Sequence, residues 1–237
     1  MTMQQADILI EAAGLVKAFG RRTVVNGVDV TIRQGEVLAI IGANGAGKST
    51  TLDLLLGLRR PDQGQISYWT ADPYRHIGLQ LQSTPFFPGF NALENLRMFA
   101  AFYGCRLPDR ILMEHLRRCG LNEAARTDAA RLSGGQQKRL AIAIALVHHP
   151  ALLFLDEPTA ALDPRARHDI RELIHSLAEA GTSIIFTSHD MEEDYKLASR
   201  IIMMNRGVIQ AAGTPEELLA AHQADSLEEL YLRLTES

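Results

Sequence analysis

The chain has 237 residues, with apolar types at 46% and charged types at 22%, enough to bury a core and too apolar for a disordered chain. Its 24 Lys and Arg against 28 Asp and Glu leave a net charge of −4, which argues against a general nucleic-acid binder, since that class carries a basic surplus. No apolar run approaches the roughly 18 residues of a membrane span, and MTMQQADILIEAA at the start lacks the basic head and apolar core of a secretory signal, so the expectation is a cytoplasmic chain.

In chain order, ILIEAAGLV (8–16) and VDVTI (28–32) read as early strands. VLAII (37–41) is apolar and β-branched up to a glycine, the pattern of a strand buried on both faces. A helix is expected from Gly47 to about Leu56, closed by Gly57 and the turn RRPDQG. ISYW (66–69), HIGLQ (76–80), LLFLD (152–156), SIIFTS (183–188) and RIIMM (200–204) read as further strands, with helices near 165–180 and 190–198. Strand and helix in alternation indicate a mostly parallel sheet covered by helices. Between about 91 and 147 only helical patterns occur, which makes this stretch a helical insert able to move as a unit. PEELLAAHQ (215–223) and LEELYLRLT (227–235) give a helical tail. Cys105 and Cys119 fit neither a disulfide framework nor a zinc site, and read as free thiols. His148 and His149 read as a surface pair beside Pro150.

Three motifs carry chemistry. The first is GANGAGKST: Gly42, Ala43, Asn44, Gly45, Ala46, Gly47, Lys48, Ser49 and Thr50, directly after the buried strand and opening a helix. Inward-turned backbone N–H groups and the helix dipole hold phosphate there. Lys48 supplies a point charge to the β- and γ-phosphates, and Ser49 a hydroxyl for Mg²⁺. A nucleoside triphosphate is the expected ligand. The second is LLFLDE (152–157), a core strand ending in two carboxylates. Asp156 would hold Mg²⁺, and Glu157 would polarise an attacking water as general base. The third, LSGGQQKRL (132–140), opens an amphipathic helix with Ser133 as its cap and Gly134 and Gly135 leaving backbone amides bare. One nucleotide does not need two anion cradles from the same chain, so the pair implies sites shared between subunits.

In this order the motifs resemble those of the nucleotide-binding subunit of an ABC transporter, over essentially the whole chain: phosphate loop Gly42–Thr50, glutamine loop Gln82, signature LSGGQ, LLFLDE, aspartate loop at Asp163 and switch histidine His189. The resemblance implies an α/β fold, a P-loop NTPase with a RecA-like core, an N-terminal antiparallel β-portion and a helical insert subdomain. It implies one ATP-binding domain over 1–237: core and β-portion at about 8–90 and 150–223, insert at about 91–147, tail at 224–237. Two such subunits sandwich two ATP molecules head to tail. Lys48, Ser49 and Gln82 are then implied on the phosphates and Mg²⁺, Glu157 as base and His189 on the γ-phosphate. Ser133, Gly134, Gly135 and Gln136 complete the partner's site. Phe19 stands where the family usually stacks Tyr on adenine, and Ala161 replaces the commoner glycine of the aspartate loop. Gln80 competes with Gln82, and alignment of IGLQLQ with the family pattern favours Gln82.

A single phosphate loop with a single signature is half an engine that must pair with a second copy or a related subunit. No coiled-coil arm is written in the chain, and no NKxD motif marks a GTPase. Because the chain has no membrane span, transport requires a separate transmembrane permease subunit, with this chain on the inner face of the cell membrane. STPFFPGFNALENLRMFAAFYG and SLEELYLRLTES resemble ABC-2-type exporters, and the run beyond Pro215 leaves no room for the regulatory β-domain of many importers. Export is the expectation. An importer ATPase and a soluble ABC ATPase are the alternatives.

Overall fold

The computed structural model describes residues 8–82, 86–190 and 194–235. In chain order these form β1 (Ile8–Phe19), β2 (Arg22–Arg33), β3 (Val37–Ile41), α1 (Lys48–Leu55), β4 (Gln63–Tyr68), β5 (Ile77–Gln80), α2 (Ala92–Phe102), α3 (Asp109–Arg118) and α4 (Gly134–Leu146). They continue with β6 (Leu152–Asp156), α5 (Pro164–Glu179), β7 (Ser183–Ser188), β8 (Arg200–Asn205), β9 (Val208–Gly213), α6 (Pro215–His222) and α7 (Leu227–Thr235). The chain divides into two compact units, residues 1–71 with 183–237 and residues 72–182.

In the first unit, β1 pairs antiparallel with both β2 and β4. Ala12 and Leu15 of β1 and Val28, Val30 and Ile32 of β2 are buried between exposed or half-buried neighbours. This alternation is that of a sheet with one wet face. Pairing carries both strands well past the apolar segments that announce them, to Phe19 and back to Arg22. β3 lies parallel between β7 and β8, and every residue of β3 and β7 is buried. Burial on both faces makes β3 apolar throughout and β7 apolar at its centre, Ile184 to Phe186, and a buried Ile or Leu contributes roughly 1.5–3 kcal/mol.

β9, which the sequence pattern does not announce, runs antiparallel on β8. Its residues VIQAAG alternate exposed and half-buried, and only Val208 and Ile209 are strong strand formers, too short a run to announce a strand by composition. A helix over 190–198 is not found among the described residues. Asp194–Leu197 form one 3-10 turn, because Ser199 already donates its N–H to the Val37 carbonyl at 2.9 Å and begins the approach to β8. Residues 191–193 lie outside the described residues.

In the second unit, β5 and β6 pair in parallel, and α2, α3 and α4 lie between them in the chain. Asn91 and Glu94 form a reciprocal capping box that starts α2. α3 buries Leu112 and Leu116, one turn apart, and exposes its charged face. α4 is buried continuously from Leu140 to Ala145, as suits a helix packed on several sides. Its glycine start is close-packed as well: a Cβ on Gly135 would stand 2.7 Å from the Ala166 Cβ of α5. Cys119 is a buried free thiol and Cys105 a half-buried one. Burial pushes the Cys119 thiol up to about 12 and leaves it an inert packing group.

Candidate nucleotide site

β3 ends at Ile41, and the Gly42 N–H donates to the Ser188 carbonyl of β7 at 3.3 Å. The loop then turns back on itself through the Ala46 N–H and Ala43 carbonyl, 3.1 Å apart. Gly47, at φ 103, delivers the chain into α1 without any side-chain cap. Only glycine fits there: the conformation is left-handed, and a Cβ would meet the Val24 carbonyl at 2.5 Å. An α-helix begins with N–H groups that have no intrahelical partner, and an uncapped start offers them, with the helix dipole, to an anion.

Lys48 is 4% exposed, and its ammonium donates to the Gly42 carbonyl at 2.9 Å and the Ala43 carbonyl at 3.3 Å. The charge is thus folded onto the loop it belongs to. Ser49 is exposed beside it. Phe19, at the end of β1, is 44% exposed, and the Arg59 guanidinium lies over its ring at 5.2 Å. Asp53 holds Arg59 at 2.8 Å. This arginine bracket on the aromatic has no local signal in sequence. His189 directly follows Ser188 at the end of β7, one residue beyond the carbonyl that the Gly42 N–H reaches.

The other sequence-derived residues fall in the second unit. Asp156 ends β6 and is buried; Glu157 is half-buried in the left-handed region at φ 46. Its carbonyl accepts from the Lys138 ammonium at 3.3 Å. Burial holds the Lys138 pKa below its usual range, while the Asp156 and Glu157 charges oppose that shift. Gln80 is wholly buried, with its amide nitrogen on the Leu81 carbonyl and 3.5 Å from that of Asp156. Gln82 is exposed just beyond β5. Of the two glutamines, Gln82 is the one at the surface.

Ser133 caps α4: its hydroxyl accepts from the Gln136 N–H at 3.3 Å, and its own N–H donates to the Gln136 side chain at 2.9 Å. Gly134 is exposed and meets only the Leu162 side chain, at 3.6 Å from a built Cβ. Asp163 caps α5 through the Ala166 N–H at 3.0 Å. Ala161 stands at φ 61, a left-handed position that a glycine would take without strain. Across both units the candidates sit where strands end and helices begin, the place where α/β proteins bind phosphate ligands. The hydroxyl of Ser49, the amide oxygen of Gln82 and the Asp156 carboxylate are hard oxygen donors of the kind Mg²⁺ accepts alongside water and phosphate.

The family profile of the ABC transporter matches residues 25–160, from β2 through the phosphate loop and signature to the strand of Asp156 and Glu157. The chain belongs to that family. It is 35% identical over 231 residues to the linearmycin resistance ATP-binding protein of Bacillus subtilis, covering 94% of this chain and 74% of that protein. It is 34% identical over 238 residues to a Nod factor export ATP-binding protein of Bradyrhizobium diazoefficiens, covering 97% of this chain and 78% of that one. Among solved structures it resembles the ATP-binding cassette MJ0796, a dimer in a post-hydrolysis state bound to ADP and Pi. That match has 27% identity and a TM-score of 0.76, over 87% of this chain and 98% of that one. The chain is therefore an ATP-binding, ATP-hydrolysing subunit of a transport system, with the P-loop NTPase fold. ATPases of this family act as dimers with a transmembrane permease subunit. No described helix of this chain is long and apolar enough to cross a membrane.

Proposed function

We propose that this subunit powers an ABC-2-type exporter from the inner face of the cell membrane, through ATP-driven closure of two such subunits. One observation carries the two-chain site. The chain has an uncapped phosphate-loop helix in one unit and, in the other, a second helix whose first residue, Gly134, lies exposed at the surface, with Ser133 engaged in its own cap. In the proposed sandwich Gly42–Thr50, Lys48, Ser49, Gln82 and Phe19 hold one ATP and its Mg²⁺, with Asp156 also toward the ion. Ser133, Gly134, Gly135, Gln136 and Asp163 of the partner subunit close over it. The magnesium ion supplies charge neutralisation on the phosphates when bound. Glu157 takes the proton of the attacking water and His189 holds the γ-phosphate end. Support for export comes from the relatives, one of which is named for it.

The membrane partner has a fitting surface. Phe87, Phe90 and Phe102 are exposed and cluster with Phe99, with ring centroids 5.8–6.2 Å apart. The wholly buried Asn95 pins this aromatic turn, accepting from the Phe87 N–H at 2.7 Å and donating to the Phe90 carbonyl at 3.1 Å. Clustered exposed aromatics mark interaction sites, and this cluster lies just after Gln82 in the chain.

The test is Glu157→Gln, whose amide keeps the shape but accepts no proton. With ATP and magnesium the variant should accumulate as a closed pair and its mass by light scattering should double, while ADP leaves it monomeric. An unchanged mass with ATP demonstrably bound would refute closure.

A further inference from the structure

The second half of the chain's tail reaches the phosphate loop. α7 buries Leu227, Leu230 and Tyr231, and Tyr231 is 7% exposed. The Tyr231 hydroxyl accepts the N–H of Ala43 at 2.8 Å and faces the Met204 carbonyl at the end of β8 at 3.5 Å. Ala43 is the second residue of the phosphate loop, and its own carbonyl accepts from the Lys48 ammonium. The peptide group joining Gly42 to Ala43 therefore has the tyrosine hydroxyl on its N–H and the Lys48 ammonium on its C=O, the Gly42 carbonyl at 2.9 Å. α7 is itself firmly held: Ser226 accepts from the Glu229 N–H at 3.1 Å, and Arg233 donates to the His222 and Gln223 carbonyls at 3.3 Å each. The hydroxyl is thus presented from a fixed element rather than from a free tail.

We propose that Tyr231 is a positioning residue for nucleotide binding, fixing the first turn of the phosphate loop through the Ala43 N–H. The inference rests on Gly42–Thr50 being the nucleotide site. Loops of this kind bind through many convergent N–H groups, so binding is strongest when the loop is already in its bound shape and no ordering has to be added on ligand arrival. The hydroxyl satisfies a donor at the one exposed stretch of the loop, Ala43 to Gly45. Without it the Gly42–Ala43 peptide loses this anchor, and with it goes the fixed direction of the Gly42 carbonyl that holds Lys48. Nothing near Tyr231 in sequence announces this role, since its partner is 188 positions away.

The experiment measures magnesium ADP binding by calorimetry, and thermal melting, on the full chain and three variants. Tyr231→Phe removes only the hydroxyl. It should bind ADP about 5-fold more weakly at a temperature where it is fully folded, the equivalent of one neutral hydrogen bond of about 1 kcal/mol. Leu230→Ala thins the packing of the same helix without touching the hydroxyl, and should melt earlier with unchanged ADP affinity. Affinity in Tyr231→Phe that is unchanged or tighter overturns the proposal, whatever its melting temperature. A loss in Leu230→Ala equal to that in Tyr231→Phe also overturns it, because the effect would then be packing. Lys48→Ala separates the two levels: if it binds ADP as tightly as the wild type, the phosphate-loop reading itself fails, and if it binds weakly while Tyr231→Phe does not, only the role of Tyr231 falls.

Discussion

Lys48 shows how much one residue does at this site. Its ammonium is almost fully buried, and it donates to two backbone carbonyls of its own loop, those of Gly42 and Ala43. Phosphate oxygens, which carry negative charge, would make stronger, charge-assisted hydrogen bonds to it than these neutral carbonyls do. Lys48→Ala should therefore cost about 10- to 100-fold in ATP affinity, the scale of a lost hydrogen bond to a charged group at roughly 1.5–3 kcal/mol. Hydrolysis should fall to background. Calorimetry and phosphate release on the same preparation check both, and normal turnover would sink the assignment. Ala161 and Glu157, both in left-handed backbone within five residues of each other, show a second residue-scale feature. Non-glycine residues there are strained, which is typical of segments held in place for function.

Among the elements, the helical stretch of the second unit contains a histidine cluster that the sequence pattern reads only as a surface pair. His149 is indeed exposed, at φ 54, and its ring lies 5.1 Å from that of His115. His148 is half-buried instead, stacked on Tyr103 at 3.8 Å, with its Nε2–H donating to the Ile77 carbonyl at 3.0 Å. Burial holds both pKa values below 6.5. For His148 the neighbouring His149 and His76 add to this and the Ile77 hydrogen bond opposes it. For His115 the His149 and Arg118 charges add and Glu114 opposes. A group whose folded pKa is depressed binds fewer protons folded than unfolded, so stability is full above about pH 6.5 and declines as pH falls through and below it. The protein should melt at a lower temperature at about pH 5.5 than at about pH 7.5, and His115→Gln with His148→Gln should flatten that slope. Calorimetric melts across the range check it. A slope unchanged in the double variant would assign the effect to other groups.

At the scale of the whole molecule the question is which chain completes which site. Gly135 is a poor place to ask it, because a side chain there collides with Ala166 inside its own subunit. Gly134 is exposed and has room, so Gly134→Asp adds a negative charge to the signature surface and leaves the subunit's fold and phosphate loop intact. Removing a single transition-state contact of this kind costs about 10²–10³-fold in rate, and the variant alone should hydrolyse ATP that slowly while binding it normally. Mixed with Lys48→Ala, it should recover. A mixed pair joins the intact phosphate loop of one chain to the intact signature of the other, giving one whole site of two. Random pairing then predicts about a quarter of wild-type turnover. Phosphate release from the mixture tests this directly, and the absence of complementation would mean that the signature acts within its own subunit.

The sequence by itself determined the chemistry and the strands that carry it. β3, β6 and β7 have the bounds read from the sequence, because burial on both faces makes the centre of each an apolar run that stands out from its surroundings. The cap at Ser133 was equally legible, since a Ser followed three residues later by Gln is a local pattern that needs no tertiary partner. Tertiary structure decided the rest. β9 is a strand because β8 offers it an edge, and β1 and β2 extend because they pair with each other; neither fact resides in local composition. Gln80 and Gln82 are one residue type two positions apart, and only burial sorts the core glutamine from the exposed one. Arg59 over Phe19 and Tyr231 on Ala43 join residues distant in the chain, so no window of sequence contains them. Local patterns fix what forms and which groups can react. The long-range contacts that hold those groups in position arise only when the chain folds back on itself, because packing distance is independent of separation along the chain.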